Sequence, residues 1–272
     1  MNEEKPVGTI SDYLEQIKRL RKEWKFNTQD ELWFRGESCQ FPKTRLLPKV
    51  YRPDHPTDFL LDNESRILKD FERNAPHLAD IDWPDRFEAY MQMQHHGGPT
   101  RLLDWSEGAL TALHFAVKRA KPDDKRPRFI YAIDPNWLND ETQATPANEK
   151  AVDENGEQVE VEDEEVIDRY LPDQEDEFKS IPNEPLVLEF QLTTRRMGAQ
   201  RSRFILCGRD RMWLPSRVGV HGSRLRMISV ATGAASDLRE ELQICGVTES
   251  VIFPDLDALG REMADRWDSL TA

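Results

Sequence analysis

The segment at residues 93–106, MQHHGGPTRLLDWS, combines several side chains that can do chemistry with a helix-breaking turn. His96 stands just before the Gly-Gly-Pro turn, and Asp104 and Trp105 follow it. A neutral histidine can exchange protons near neutral pH, and an indole can stack on a ligand ring. Adjacent histidines point apart and no further ligand recurs at helical spacing, so no metal site is predicted. We predict His96 and Asp104 as catalytic groups and Trp105 as a cofactor contact.

The pair Arg35–Gly36 is a second candidate, because it ends the apolar run LWF. A guanidinium held on a buried strand can bind phosphate or carboxylate with two hydrogen bonds. A glycine beside it would let a ligand approach the backbone closely. Arg101 is predicted to lie across the same cleft and to contact the same ligand or cofactor. The alternatives are a surface arginine at a strand end for Arg35, and for Asp104 a cap of the following helix.

The spacing of apolar residues predicts the elements that must position these groups. Helical spacing occurs at 9–26, 62–75, 84–94, 106–120, 235–245 and 255–267, with Ser106 as a candidate N-cap of the fourth helix. Strand-like runs occur at 31–37, 128–134, 186–192, 203–207, 225–230 and 250–253. Helices come first and regular β-α-β alternation is absent, which predicts a single α+β domain over residues 1–272 with a mixed, mostly antiparallel sheet.

The net charge of −14 is concentrated in one segment. Residues 140–185 contain 17 Asp or Glu and 3 Lys or Arg, so the rest of the chain is neutral overall. This segment is predicted to be an acidic insertion, largely flexible. Without a basic footprint, strong non-specific binding of nucleic acid is not expected.

The three cysteines are far apart and have no C-x-x-C spacing, which predicts reduced thiols. No apolar run approaches the length of a membrane span, and the first residues lack a hydrophobic signal segment. We therefore expect a cytoplasmic protein that does not bind membranes.

Four blocks together resemble the FRG domain family, named after its Phe-Arg-Gly motif. They are LWFRGE, NESRILKDFERNA, QHHGGPTRLLDWSEGALTALHFAV and LREELQICGVTESVIFPDLDALGREM, and they extend from about residue 10 to 266. The family's biochemistry does not by itself specify an activity.

The layout is also similar to that of ADP-ribosyltransferases of the arginine-serine-glutamate type, which implies a split sheet of that kind. In that family a strand bearing Arg-Gly grips NAD, a second strand runs into a helix, and a third strand begins with a Glu-x-Glu or Gln-x-Glu pair. Arg35–Gly36 would correspond to the first feature and Asp104–Trp105–Ser106 to the second. Gln200 would stand first in the acidic pair, which implies a catalytic contact with the ribose or the acceptor.

The chain departs from that pattern at Ser202, where the family has its second glutamate. Glu189 or Glu241 would have to replace that carboxylate if transfer occurs. The resemblance implies NAD as co-substrate and a macromolecular acceptor or a regulatory protein as partner, in a toxin or a phage-defence effector. A non-catalytic nucleotide- or protein-binding module remains open, as does a hydrolase or nuclease that uses His96 and Asp104.

Overall fold

The computed structural model describes residues 5–38, 43–79, 86–118, 120, 124–143, 164–171, 175–188 and 195–271. Six strands lie in these ranges: β1 (Trp33–Glu37), β2 (Leu102–Ser106), β3 (Phe129–Ile133), β4 (Leu186–Leu188), β5 (Ser202–Leu206) and β6 (Leu225–Ser229). The α-helices are α1 (Ile10–Glu23), α2 (Thr57–Asn74), α3 (Pro76–Ala79), α4 (Arg86–His95), α5 (Ala109–Val117), α6 (Pro135–Gln143), α7 (Glu164–Asp168), α8 (Arg195–Gln200), α9 (Ala235–Ile244), α10 (Glu249–Ile252) and α11 (Leu256–Thr271). Short 3-10 helices cover Lys49–Tyr51, Glu175–Ser180 and Pro215–Arg217.

The six strands form one sheet in the order β4-β5-β2-β1-β3-β6, and each pair of neighbouring strands is antiparallel. The predicted α+β class with a mostly antiparallel sheet is therefore confirmed. A parallel bridge between Val7 and Val230 adds the residues before α1 to the edge at β6.

The sheet separates two apolar cores because successive side chains of a strand point to opposite faces. On β1, Trp33 belongs to the larger core, whereas Phe34 belongs to the second. The larger core includes residues of α2 and α4, and the second includes residues of α1, α5 and α9. Arg35 therefore shares a face with Trp33, and Gly36 shares the opposite face with Phe34.

The sheet opens at its centre, between β1 and β2. These strands share one register pair, Phe34 with Ser106, whereas β1 pairs with β3 at five positions and β2 pairs with β5 at five. Beyond Phe34 the backbones of β1 and β2 are not paired in the described part of the chain. This opening between the two halves of the sheet is called the seam below.

The structure corrects two boundaries that the sequence predicts. Ser106 ends β2 instead of capping a helix, and α5 begins at Ala109 with Gly108 as its N-cap. The run at 250–253 is predicted as a strand but falls largely in α10. Its β-branched residues favour a strand locally, and a helix of four residues is too short to show helical periodicity.

The acidic segment at 140–185 is packed where the structure describes it. Tyr170, Phe178 and Ile181 are at most 3% exposed and belong to the larger core. These described residues pack against the rest of the fold, and the flexibility of the segment as a whole stays a prediction; residues 144–163 and 172–174 lie outside the described residues.

Among the described residues, no helix combines the length and the apolar character that crossing a membrane requires.

Candidate functional site

A cleft of about 880 Å³ lies at the seam. Its volume falls within the range of small-molecule and cofactor sites, about 300–1,000 Å³. Four of the residues predicted from the sequence, Arg35, His96, Asp104 and Gln200, line this one cleft although they are distant in the chain. Its remaining walls are mainly apolar and include Phe34, Phe87, Met91, Phe115, Met197 and Phe204.

Arg35 bridges the two halves of the sheet. Its Nη1 donates to the backbone oxygen of Asp104 on β2 at 2.7 Å, and its Nε donates to Oε1 of Glu37 at 2.9 Å. The first bond takes the place of backbone pairing where β1 and β2 separate. The guanidinium is thus held by one acceptor on each strand, and Arg35 lines the cleft.

Asp104 presents its carboxylate from β2, where it is the exposed residue of an otherwise buried strand. Gln94 Nε2 donates to both carboxylate oxygens, at 3.2 and 3.0 Å. Gln94 Oε1 in turn accepts a hydrogen bond from the hydroxyl of Thr100, which is fully buried. The threonine therefore fixes the amide so that its NH₂ group faces Asp104, and the carboxylate is held in place in the cleft.

His95 and His96 both line the cleft at the end of α4, where the turn at Gly97 has a φ of 79°. Their rings meet edge to face with centroids 5.2 Å apart. Burial lowers the pKa of His95 below 6.5, Arg196 and His96 lower it further, and Asp104 opposes them. The lowered pKa favours the neutral form of His95, which can accept a proton, whereas the sequence predicts this role for His96 alone.

Gln200 reaches the cleft from the C-terminal end of α8. Its Nε2 donates to the backbone oxygen of Ile252 at 3.2 Å, and its own backbone oxygen accepts a bond from Ser106 Oγ at 2.6 Å. Ser202 is buried and pairs with Ser106 across β5 and β2. Gln200 thus joins α8 both to α10 and to the end of β2.

Of the two acids suggested as replacements for the missing glutamate, Glu241 does not line the cleft. Glu241 accepts a hydrogen bond from the backbone N–H of Ile10 at 2.7 Å and so joins α9 to α1. Glu189 lies outside the described residues. Asp104 and Glu88 are carboxylates that do line the cleft.

The glycine at position 36 is required for packing, whereas its predicted contact with a ligand stays a prediction. A Cβ built on Gly36 would lie 1.8 Å from the backbone oxygen of Ala112 and 2.8 Å from the nitrogen of Ala116. The backbone of α5 therefore crosses β1 where only a glycine fits. Gly36 does line the cleft, but the close approach is made by the protein itself.

Arg101 is also placed differently from the prediction. Its side chain is 2% exposed and does not line the cleft; Nε donates to Oε2 of Glu64 at 2.6 Å, and the other donors reach the backbone oxygens of Cys207 and Tyr170. The backbone N–H of Arg101 donates to Glu64 and to the hydroxyl of Tyr90. Arg101 is therefore a buried structural residue beneath β2.

Trp105 forms part of the cleft wall but is only 2% exposed. Its indole N–H is buried without a hydrogen-bond partner among the described residues. Because the ring is packed in the larger core, it does not present a free face for stacking as predicted.

The polar residues of the cleft that were not predicted from the sequence include Lys49, Arg52, Gln94 and Arg196. Gln94 could have been found, because it directly precedes the two histidines. Lys49 and Arg52 come from a proline-rich stretch without a periodic pattern, so nothing in the sequence indicates that it returns to the sheet. Arg196 lies over the ring of Phe253, 4.7 Å from its centroid, through a contact that only the fold creates.

The cleft has the charge distribution of a site for an anionic ligand. Arg35, Lys49, Arg52 and Arg196 supply positive charge around an apolar interior, and Asp104 places a carboxylate among them. Burial and Arg35 lower the pKa of Arg52, whereas Glu37 and Asp104 raise it. Within the described ranges no group of His, Cys, Asp or Glu side chains has the arrangement of a metal site.

Residues 30–125 match the family model of the FRG domain. The matched region contains Arg35, the turn after α4 and β2, but not α8, β5 or the C-terminal helices, to which the sequence resemblance also extended. Searches of curated proteins and of solved structures found no match.

Proposed function

The chain contains an FRG domain at residues 30–125, and from the cleft that this domain forms with α8 and β5 we propose that the protein binds NAD and transfers its ADP-ribose to a macromolecular acceptor. The observation that carries the proposal is that Arg35, His96, Asp104 and Gln200 line one cleft.

The order of the strands supports the similarity of layout to ADP-ribosyltransferases. The three corresponding features lie on β1, on β2 and at the start of β5, which are consecutive neighbours in the sheet. Arg35 on β1, the strand β2 that leads into α5, and Gln200 just before β5 therefore line the same cleft. Arg35 and Asp104 are 69 positions apart in the chain, and Asp104 and Gln200 are 96 apart, so the sequence alone does not require them to meet.

The chemistry that we propose needs a negative charge beside the ribose. The bond between ribose C1′ and the nicotinamide nitrogen breaks, and its electron pair neutralises the pyridinium ring. The positive charge that develops at the ribose is stabilised by a fixed carboxylate, and Asp104 is the candidate because Gln94 holds it in place. The acceptor then attacks C1′ and gives up a proton, for which neutral His95 is available.

A second candidate is a module that binds the nucleotide without transferring it. It is favoured by the absence of a carboxylate at Ser202, which is buried against β2, and by the bond that joins the Gln200 amide to Ile252. Both candidates use the cationic groups of the cleft in the same way and differ in whether the glycosidic bond breaks.

The deciding experiment measures nicotinamide release from NAD together with labelling of the protein itself or of a cell lysate. We expect release by the wild-type chain and a loss of about 100-fold for Asp104→Asn, because one fixed electrostatic contact to a transition state has about that effect. Asp140→Asn, which changes an exposed acid on α6, is the matched control and should retain full activity.

Each outcome selects one candidate. Binding of NAD without release of nicotinamide supports the module, and release without a labelled acceptor identifies an NAD hydrolase. If NAD neither changes the melting temperature nor is consumed, the proposal is wrong. Toxicity on expression that Asp104→Asn abolishes would extend the proposal to a toxin or a phage-defence effector.

A further inference from the structure

Glu37, at the end of β1, joins two parts of the cleft although it is not one of the residues that line it. Its carboxylate is 12% exposed and accepts from Arg35 Nε at 2.9 Å. The same carboxylate accepts from the backbone N–H of Leu46, at 3.2 Å to each oxygen. One side chain thus binds an arginine of the sheet and the backbone of the following loop.

The bond to Arg35 restricts the orientation of the guanidinium. Residues 35 and 37 lie on the same face of β1, because side chains of a strand alternate. Glu37 holds Nε, and the backbone oxygen of Asp104 holds Nη1. Two acceptors on different strands fix the plane of a rigid, planar group before any ligand arrives.

The bond to Leu46 restricts the loop. Leu46 has a φ of 54° and is 1% exposed, so a bulky side chain is buried from a left-handed backbone conformation. This conformation is unfavourable for leucine and persists only where the surroundings impose it. The carboxylate of Glu37 receives the N–H of this strained residue and so contributes to holding it.

The loop fixed in this way continues directly into Lys49 and Arg52, which line the cleft. Lys49 Nζ donates to the backbone oxygen of Gly97 at 2.6 Å, and Arg52 Nε donates to that of Leu47 at 3.2 Å. The carboxylate of Glu37 thus contacts Arg35 directly and also contacts the loop that carries Lys49 and Arg52.

We infer that Glu37 is a positioning residue that assembles Arg35, Lys49 and Arg52 into a preformed subsite for the phosphate groups of a nucleotide. The inference rests on the proposed function only for the identity of the nucleotide, NAD. The recognition of phosphate does not depend on it, because a phosphate subsite is equally useful to a protein that binds the nucleotide and to one that transfers part of it. Preorganised cations bind an anion more tightly because less conformational freedom is lost on binding.

The test measures the affinities of ADP and of inorganic pyrophosphate by isothermal titration calorimetry. Glu37→Gln is expected to weaken both by about tenfold, the equivalent of losing one well-oriented charged contact. Arg35→Lys keeps the charge but cannot bond Glu37 and Asp104 in the same way, and a similar loss is expected. Glu240→Gln, an exposed acid on α9, is the matched control.

A double variant separates positioning from a general effect on stability. If Glu37 acts through Arg35, Glu37→Gln should weaken ADP binding much less in an Arg35→Ala background than in the wild type. Equal losses in the two backgrounds would overturn the inference, as would unchanged affinity in Arg35→Lys. It is also overturned if the wild-type chain binds neither ADP nor pyrophosphate. Binding that depends on Glu37 without consumption of NAD would refute only the proposed transferase.

Discussion

Two arginines with similar sequence contexts lie in opposite environments in this fold. Arg35 and Arg101 each stand within or beside a short apolar strand, and both were predicted to contact a ligand. Arg35 lines the cleft, whereas Arg101 is enclosed with Glu64. The sequence does not distinguish them, because the acid that encloses Arg101 lies on α2, 37 residues earlier.

This difference can be tested on Glu64. Burial alone would lower the pKa of Arg101, but Glu64 and Tyr90 raise it, and the guanidinium stays charged. Glu64→Gln would leave that charge buried without a counter-charge, so we expect a loss of about 3–5 kcal/mol in the free energy of unfolding. Urea denaturation measures it, with Glu72→Gln, a partly exposed acid on the same helix, as control.

If Arg101 is a structural residue, the loss of its partner Glu64 should not affect ligand binding by the folded protein. Below its transition, folded Glu64→Gln protein should bind ADP as the wild type does. If Glu64→Gln instead leaves the stability unchanged and reduces the affinity for ADP, Arg101 contributes to ligand binding as first predicted.

At the scale of elements, the sequence predicted the bounds of those helices and strands that have a clear local pattern of apolar residues. Helices α1 and α9 and strands β3, β5 and β6 lie within two or three residues of their predicted bounds, because each has a clear apolar period or a β-branched run. The pairing of strands was not predictable, because β1 meets β2 across about 65 residues and the seam depends on that pairing. Arg35, His96, Asp104 and Gln200 were identified by residue type and resemblance, while Lys49, Arg52 and Arg196 reach the cleft only through tertiary packing.

The crossing of β1 and α5 provides a prediction for the packing of two elements. In Gly36→Ala the new methyl group would meet the backbone of Ala112, which cannot move without shifting α5. We expect a loss of about 1–3 kcal/mol or more, as for other overpacked sites. Gly260→Ala on α11, where nothing lies within 4 Å, should instead be neutral or slightly stabilising. Equal melting temperatures for the two variants would contradict this account of the FRG motif's glycine.

At the scale of the whole molecule, acidity acts on stability in two opposing ways. The chain has a net charge of −14, so protonation of carboxylates on acidification reduces self-repulsion. Two buried or half-buried histidines act in the opposite direction, because the folded protein disfavours their charged forms. Burial lowers the pKa of His95, and burial followed by Lys118 lowers that of His114.

The sign of the histidine effect follows from the number of protons bound. With a folded pKa below 6.5, the unfolded chain binds more protons than the folded one as the pH falls through 6.5. Stability is therefore complete above that pH and decreases below it. His114 is 5% exposed on α5, and its Nε2 lies 3.4 Å from Glu249 on α10; Lys118 and Arg239 oppose its protonation, and Glu249 favours it.

We therefore expect the melting temperature to fall between pH 7 and pH 5 when salt screens the repulsion among surface carboxylates. His114→Gln should reduce the slope, because it removes a group that binds protons preferentially in the unfolded chain. The exposed His221→Gln is the control and should leave the slope unchanged. A His114→Gln slope equal to that of the wild type in high salt would show that His114 does not link pH to folding. If saturating ADP then alters the remaining decrease, the decrease is assigned to His95 at the cleft.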